Sequence, residues 1–308
     1  MIRVKLMGGL GNQMFQYAMA RTLAHRNDCP LLIDKSLCVE SERSTESGLS
    51  LRPFELQVFG IQGQIANGES PHRILKIRKE HKCRRAAGLL LCKAANLACD
   101  SWRVCVYERR DVAFDRSLLN LPRNVVLEGY FPSYKYFQEI EDILRREFTF
   151  TVEADERNQR MIDMISSCNS ISLHIRRGDY ISDRRAKDKF GVCSLAYYRK
   201  AVEYLAGAVE EPQFFVFTND PDYVRDNLKM HYPSVHVAHN TGTKSYEDMR
   251  LMSLCKHNII ANSSFSWWGA WINGSPGRIV VAPSPAFDKL TLEDSDFYPE
   301  PWTLFPKS

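Results

Sequence analysis

The chain has 308 residues, of which 44% are hydrophobic and 25% charged, with a formal net charge of +4. This is the balance of a globular protein with one large domain or two of ordinary size. The mild positive charge fits a small anionic ligand or a membrane-surface habit and does not point to nucleic acid, and no run approaches the roughly 20 apolar residues of a spanning helix.

The first residues, Met1-Ile2-Arg3-Val4-Lys5-Leu6, carry charge inside an apolar run, which is the pattern of a strand and not of a signal peptide. Gly8-Gly9-Leu10-Gly11-Asn12-Gln13 follows, then apolar positions 14, 15, 18, 19 and 23 at helical period. Cys29 to Asp34 reads as a second, parallel strand. Glycine serves where backbone approaches a ligand or takes positive φ, and the helix start offers N–H groups to an anion. Residues 36–70 read as loops and short elements. Residues 71–98 are basic with a helical period. A solvated helix face is the plain reading of this stretch; a membrane contact of segment 73–93 with anionic lipid, or with a lipid-pyrophosphate-linked acceptor, is the functional one. Asn124 to Phe131 is a strand and Tyr134 to Phe148 a helix. The polar stretch 149–156 marks a domain boundary, which gives domains 1–155 and 156–308.

In the second half, helices are expected over 157–166, 194–209, 222–230, 245–255 and 265–273. Strands are expected at 170–176, 213–220, 235–237, 258–262 and 278–282. Strands alternating with helices through short links mean parallel, doubly wound sheets, here two Rossmann-like units facing one another across a cleft. The nine cysteines are scattered, odd in number and free of Cys-x-x-Cys spacing, so they read as reduced thiols of a cytoplasmic protein. Asn262-Ser263-Ser264 and Asn273-Gly274-Ser275 are glycosylation sequons on paper. The first falls in a packed strand-to-helix turn, which favours a non-secreted chain.

The most informative stretch is Ser170-Ile171-Ser172-Leu173-His174-Ile175-Arg176-Arg177-Gly178-Asp179-Tyr180. Side chains on a strand alternate, so Ser172, His174 and Arg176 share one face and Ile171, Leu173 and Ile175 the other. An imidazole and a guanidinium thus stand at a strand's carboxyl end, where open α/β sheets bind ligands. The arginine fork suits phosphate; an exposed ion pair with Asp179 is the plain alternative. Thr218-Asn219-Asp220, Ser245 to Asp248 and Asn262-Ser263-Ser264-Phe265-Ser266 gather polar groups at three more element ends. The last can both cap a helix and present N–H groups to phosphate. Trp267, Trp268 and Trp271 read as core.

Two other chemistries have partial signals. Gly9-x-Gly11 with Asp34 resembles half of a dinucleotide fingerprint, but Met14 stands where its third glycine belongs. Asp220-Pro221-Asp222 has the spacing of a metal-binding carboxylate pair, yet it also reads as a helix start.

Taken together, Gly8 to Ala18, His174 to Tyr180 and Asn262 to Trp271, supported by Glu128 to Phe131 and Phe217 to Asp220, resemble the α-1,2-fucosyltransferases of glycosyltransferase family 11, in the form of a bacterial member. The resemblance spans residues 2 to about 283 and is weak over 36–110. It implies a GT-B fold with the first domain on the acceptor side and the second on the donor side. GDP-β-L-fucose would be the donor and a galactose-terminated glycan the partner, with inversion, no metal and no other cofactor. By motif, Arg176 and Arg177 would hold the diphosphate with His174 in support. Asn219, Asp220 and Asp248 would lie near the nucleoside, and Asn262, Ser263, Ser264, Phe265 and Ser266 would line the phosphate and base pocket. Gly9, Gly11, Asn12 and Gln13 would approach from the other domain. Asp179 is the nominated base for the acceptor hydroxyl. The implied setting is the cytoplasm, at or near the cytoplasmic face of the inner membrane.

Overall fold

In a computed structural model, the structure describes residues 1–39, 43–44, 50–66, 74–78, 103–107, 112–178 and 184–308. The chain divides into two compact units, Met1–Thr149 and Phe150–Ser308. Residues just after the division belong to the second unit by packing. The Phe150 ring stacks on Tyr246 at 6.4 Å, and Arg250 Nη2 donates to the Val152 carbonyl at 2.6 Å.

The first unit contains β1 (Ile2–Lys5), α1 (Leu10–Arg26), β2 (Leu31–Asp34), the short antiparallel pair β3 (Arg43–Ser44) and β4 (Ser50–Leu51), β5 (Gln64–Ala66), β6 (Ile74–Arg78), β7 (Arg103–Tyr107), β8 (Val125–Glu128) and α2 (Glu141–Glu147). Its main sheet has the order β5-β2-β1-β8-β7-β6, and every pairing in it is parallel. Ile2 and Val4 of β1 are completely buried between neighbours on both sides. In the same strand Arg3 faces Asp34, with Nε and Nη2 on Oδ2 at 2.9 and 2.6 Å, both residues almost fully buried. Breaking one half of such a pair would strand a buried charge. Asp34 is therefore committed within the sheet, and the dinucleotide reading loses its ribose partner.

Two expectations are corrected here. Within the basic stretch read as helical, Ile74–Arg78 is the edge strand β6, paired with β7; the rest of segment 73–93 lies outside the described residues. The helix expected over 134–148 is instead two 3₁₀ turns, Tyr134–Tyr136 and Gln138–Ile140, before α2 begins. The buried aromatic rings of Tyr136 and Phe137 set this local path, and Phe137 leaves helical geometry at φ −135°. Aromatic residues are middling helix formers, so packing decides.

The second unit contains α3 (Glu156–Ser166), β9 (Asn169–Ile175), α4 (Arg184–Phe190), α5 (Leu195–Ala208), β10 (Pro212–Thr218), α6 (Pro221–Asn227), β11 (Ser234–Val237), α7 (Tyr246–Leu254), β12 (His257–Ile259), α8 (Ser264–Ile272), β13 (Val280–Ser284), α9 (Asp294–Phe297) and β14 (Thr303–Pro306). The sheet order is β11-β10-β9-β12-β13-β14, again all parallel. On one face Ile171, Leu173 and Ile175 of β9 pack with Tyr197, Ala201 and Leu205 of α5. On the other face Ser172 accepts from Asn258 Nδ2 at 2.7 Å, and Asn258 Oδ1 accepts from Asn273 Nδ2 at 2.7 Å. This buried ladder explains why serine and asparagine recur on strands that are otherwise apolar. Trp267 and Trp268 are fully buried in an aromatic cluster, with Trp267 Nε1 donating to the Phe297 carbonyl at 2.9 Å. Among the described residues, no helix is long and apolar enough to cross a membrane.

Candidate active site

The strand order of the second unit puts its switch point between β9 and β12, since the chain moves outward from β9 on one side and resumes beside it on the other. Ligands of open α/β sheets settle outside the carboxyl ends at that point. The residues there are His174 near the end of β9, Arg176 just past it, Asn262 and Ser263 from the turn after β12, and Ser264 to Ser266 from the first turn of α8. The His174 and Phe265 rings meet at 5.9 Å, so the end of β9 and the first turn of α8 are neighbours.

His174 is 5% exposed, and its Nδ1 finds no hydrogen-bond partner among the described residues. Burial, and then the nearby Arg176 charge, push its pKa down to about 3, so the ring is neutral over the physiological range. Arg176 is half-buried at the strand's end. Arg177 turns elsewhere. Its guanidinium lies 3.3 Å over the Tyr223 ring, and its Nε is 3.5 Å from Asp220 Oδ2. The turn carrying both arginines is held by Asn219, whose Oδ1 accepts from the N–H groups of Arg177 and Gly178 at 3.0 and 3.2 Å. A Cβ on Gly178 would stand 2.7 Å from Asn219 Nδ2, so a larger residue there would push the Asn219 amide away from the turn.

Asp220 also caps α6, accepting from Tyr223 N at 3.3 Å with Pro221 in the first turn, as helix starts favour. Asp222 points outward, paired with Arg225 at 2.9 Å. The two carboxylates of the Asp-Pro-Asp run thus serve different ends. Among the described residues, no group of three or more His, Cys, Asp or Glu stands where it could hold a metal ion.

At the start of α8, Ser263 accepts from Phe265 N at 3.3 Å and is the cap. Ser264 and Phe265 are half-buried, while Ser266 is fully buried and donates to the Ala261 and Ser263 carbonyls at 3.4 Å. Asn262 is fully buried, and its Nδ2 donates to the Phe190 and Gly191 carbonyls at 2.8 and 3.1 Å. It is a clamp on the backbone and not an open ligand. Both sequon asparagines, Asn262 and Asn273, are buried with their amides committed.

Asp248, in the first turn of α7, accepts from Asn240 Nδ2 at 2.9 Å. Burial drives its pKa up to about 7, against the Asn240 hydrogen bond, and Glu247 adds to the rise. Asn240 exchanges amide hydrogen bonds with Asn158 at 3.0 and 2.9 Å, and His239 Nε2 meets Asn158 Oδ1 at 3.0 Å. The Asn158–Asn240 pair was not legible in the sequence, because the two residues lie on elements far apart in the chain. Tyr223 was legible in principle, being one turn beyond the capping Asp220.

In the first unit, Gly8 has φ +75° and a Cβ there would stand 2.7 Å from Asn12 Nδ2. Gly9 is in extended backbone before α1, and Gly11 is buried in the first turn. Gln13 is completely buried: Nε2 donates to the Gly8 and Pro53 carbonyls at 2.9 and 2.7 Å, and Oε1 accepts from Glu55 N at 2.9 Å. Gln16, unflagged by the sequence, pairs both ways with the Met7 backbone at 2.9 and 3.0 Å. These amides build the glycine turn, and half-buried Asn12 lies against Gly8 in it. Asp179, the nominated base, lies outside the described residues.

The family model for Glycosyl transferase family 11 matches residues 1–305. The chain belongs to glycosyltransferase family 11. It is 30% identical over 306 residues to an alpha-1,2-colitosyltransferase of Escherichia coli, covering 98% of each chain. It is 32% identical over 315 residues to the O-antigen biosynthesis glycosyltransferase WbnK of the same species, covering 94% of this chain and 97% of that one. Over 185 residues it is 26% identical to galactoside alpha-(1,2)-fucosyltransferase 1 of Ateles belzebuth, covering 56% of this chain and 50% of that one. Among solved structures, the fucosyltransferase NodZ from Bradyrhizobium superposes with TM-score 0.50 at 15% identity, over 87% of this chain and 92% of that one. That likeness bears on the fold alone: this family 11 chain has the two parallel-sheet α/β domains of the GT-B class.

Two outcomes follow for this family 11 transferase. Arg176→Ala should lower turnover by on the order of 10²–10³, the scale of losing one donor to a developing anion. Arg177→Ala should lose no more than about tenfold, the scale of a cation–π contact and a half-exposed ion pair. Steady-state rates of the two purified variants check this, and an Arg177→Ala loss equal to that of Arg176→Ala would contradict it. Separately, between about pH 3 and pH 6.5 the unfolded chain protonates His174 while the folded chain does not. Stability therefore rises with pH across that window. Thermal melts at stepped pH should show a shallower rise for His174→Gln than for the unaltered chain, and parallel curves would contradict it.

Proposed function

We propose that this chain is an inverting transferase that moves L-fucose from GDP-β-L-fucose to the 2-hydroxyl of a terminal galactose, without a metal. The observation that carries the reading is the meeting of the end of β9 with the first turn of α8 at the switch point of the second unit, His174 against Phe265 at 5.9 Å, with Arg176 two residues beyond that histidine. In-line attack by a sugar hydroxyl makes the departing diphosphate gain charge. A guanidinium and a helix N-terminus fixed beforehand stabilise that charge without reorganising. His174 is neutral, so it backs Arg176 and does not add a second cation. Arg177 acts on the turn, through Tyr223 and Asp220. Asp248 takes the nucleoside end. The first unit receives the acceptor, and Asp179 accepts the hydroxyl proton. The α-1,2 linkage in the names of two relatives supports the linkage, and the free thiols of Cys29, Cys38, Cys168, Cys193 and Cys255 support a cytoplasmic setting.

A second donor is favoured by one observation: a relative matching nearly the whole length is named a colitosyltransferase. Colitose lacks the 3-hydroxyl of fucose. A pocket that hydrogen-bonds a substrate hydroxyl rejects the analogue lacking it by about 10⁴–10⁵, so the ratio of the two donors discriminates. The test supplies GDP-L-fucose or GDP-colitose with lactose, N-acetyllactosamine or a β-1,3-linked galactoside, with EDTA present, and reads product linkage by NMR. The expected product is α-1,2-fucosylated, formed at an undiminished rate in EDTA. Transfer from GDP-colitose alone, or another linkage, would reject the donor or linkage, and loss of activity in EDTA would reject metal independence.

A further inference from the structure

Lys307 is a buried cation with no part in the site described above. Its side chain is 5% exposed, yet it follows the last strand and lies beyond the residues matched by the family model. Its Nζ donates to the Phe190 carbonyl at 3.0 Å and meets Asp288 Oδ1 at 2.5 Å. Its backbone is tied on both sides, with N donating to the Ser284 carbonyl at 2.8 Å and O accepting from Ser194 N at 2.9 Å.

The carbonyl that Lys307 holds is the one that Asn262 holds. Phe190 O accepts from Asn262 Nδ2 at 2.8 Å and from Lys307 Nζ at 3.0 Å. Phe190 ends α4, and Gly191 follows at φ +68°, where a Cβ would stand 2.1 Å from Asp288 Oδ2. The glycine is therefore needed twice, for its left-handed backbone and for the approach of the carboxylate that partners Lys307. Lys289 N donates to the Lys189 carbonyl at 3.2 Å, and the Phe190 and Phe287 rings meet at 5.7 Å, so the segment around Asp288 closes over the same turn. On its other side the turn grips Asn262, the residue immediately before the Ser263 cap of α8.

We propose that Lys307 is a positioning residue for donor binding. With Asp288 it pins the Phe190–Gly191 turn, the turn pins Asn262, and Asn262 sets where the first N–H groups of α8 point. A buried charged hydrogen bond of this kind is among the stronger ones available to a side chain. The inference rests on the reading that the start of α8 receives the diphosphate of GDP.

The test titrates the full chain and its variants with GDP by calorimetry and measures KM for donor and acceptor separately. Lys307→Met should weaken GDP binding roughly fivefold to tenfold and raise the donor KM in step, with the acceptor KM within about twofold; Lys307→Arg should restore most of the affinity. A folded Lys307→Met with unaltered GDP affinity would overturn the inference. So would donor and acceptor KM rising together, which is the signature of a general loss of structure. If Lys307→Met does not fold, Asp288→Asn decides in its place: GDP binding about threefold weaker supports the inference and unaltered affinity overturns it. Failure of the unaltered chain to bind GDP would instead overturn the functional reading and the inference with it.

Discussion

The second unit depends on β9 being paired on both edges. In parallel register His174 stands opposite Phe217 of β10, and Leu173 opposite Ile259 of β12. With both backbone edges used and Ile171, Leu173 and Ile175 buried against α5, the strand cannot slip without turning its apolar set outward. That fixes the height at which Arg176 leaves the sheet. The turn after β12 is fixed at a comparable height by the same pairing, so the end of β9 and the start of α8 meet, His174 against Phe265, without any loop having to find its place.

Around this frame polar side chains hold backbone. Asn219 holds the arginine turn, Asn262 holds Phe190–Gly191, and Gln13 and Gln16 hold the glycine turn of the first unit. A buried amide left without partners is expensive, so Asn262, Gln13 and Gln16, all fully buried, are committed to architecture even though they sit in the stretches that carry the family resemblance. The paired arginines stand in different surroundings: Arg176 is half-buried just past the end of β9, and Arg177 lies over the Tyr223 ring beside Asp220.

Much of this was legible in the chain itself. Parallel strands buried on both faces read as short apolar runs with polar ends, which is how Gln213–Asp220 and Ser170–Arg176 announced themselves. Helix starts at Asp220 and Ser263 were legible because capping is local chemistry. What was hidden depended on partners distant in sequence. The strand Ile74–Arg78 was obscured because its basic surroundings fit a helical period and its pairing with Arg103–Tyr107 is a tertiary fact. A lone lysine at 307 carries no local sign that it will be buried against residues 190 and 288. Nor can alternation alone tell a side chain that faces a ligand from one that braces the backbone beside it.

The central claim, that the diphosphate seats at the β9–β12 switch point, is most directly tested by amide hydrogen exchange of the full chain with and without GDP. The account predicts slowed exchange at the start of α8, residues 264–267, and at the arginine turn, residues 176–178. Protection confined to the glycine turn at residues 8–13, with the start of α8 unchanged, would contradict it.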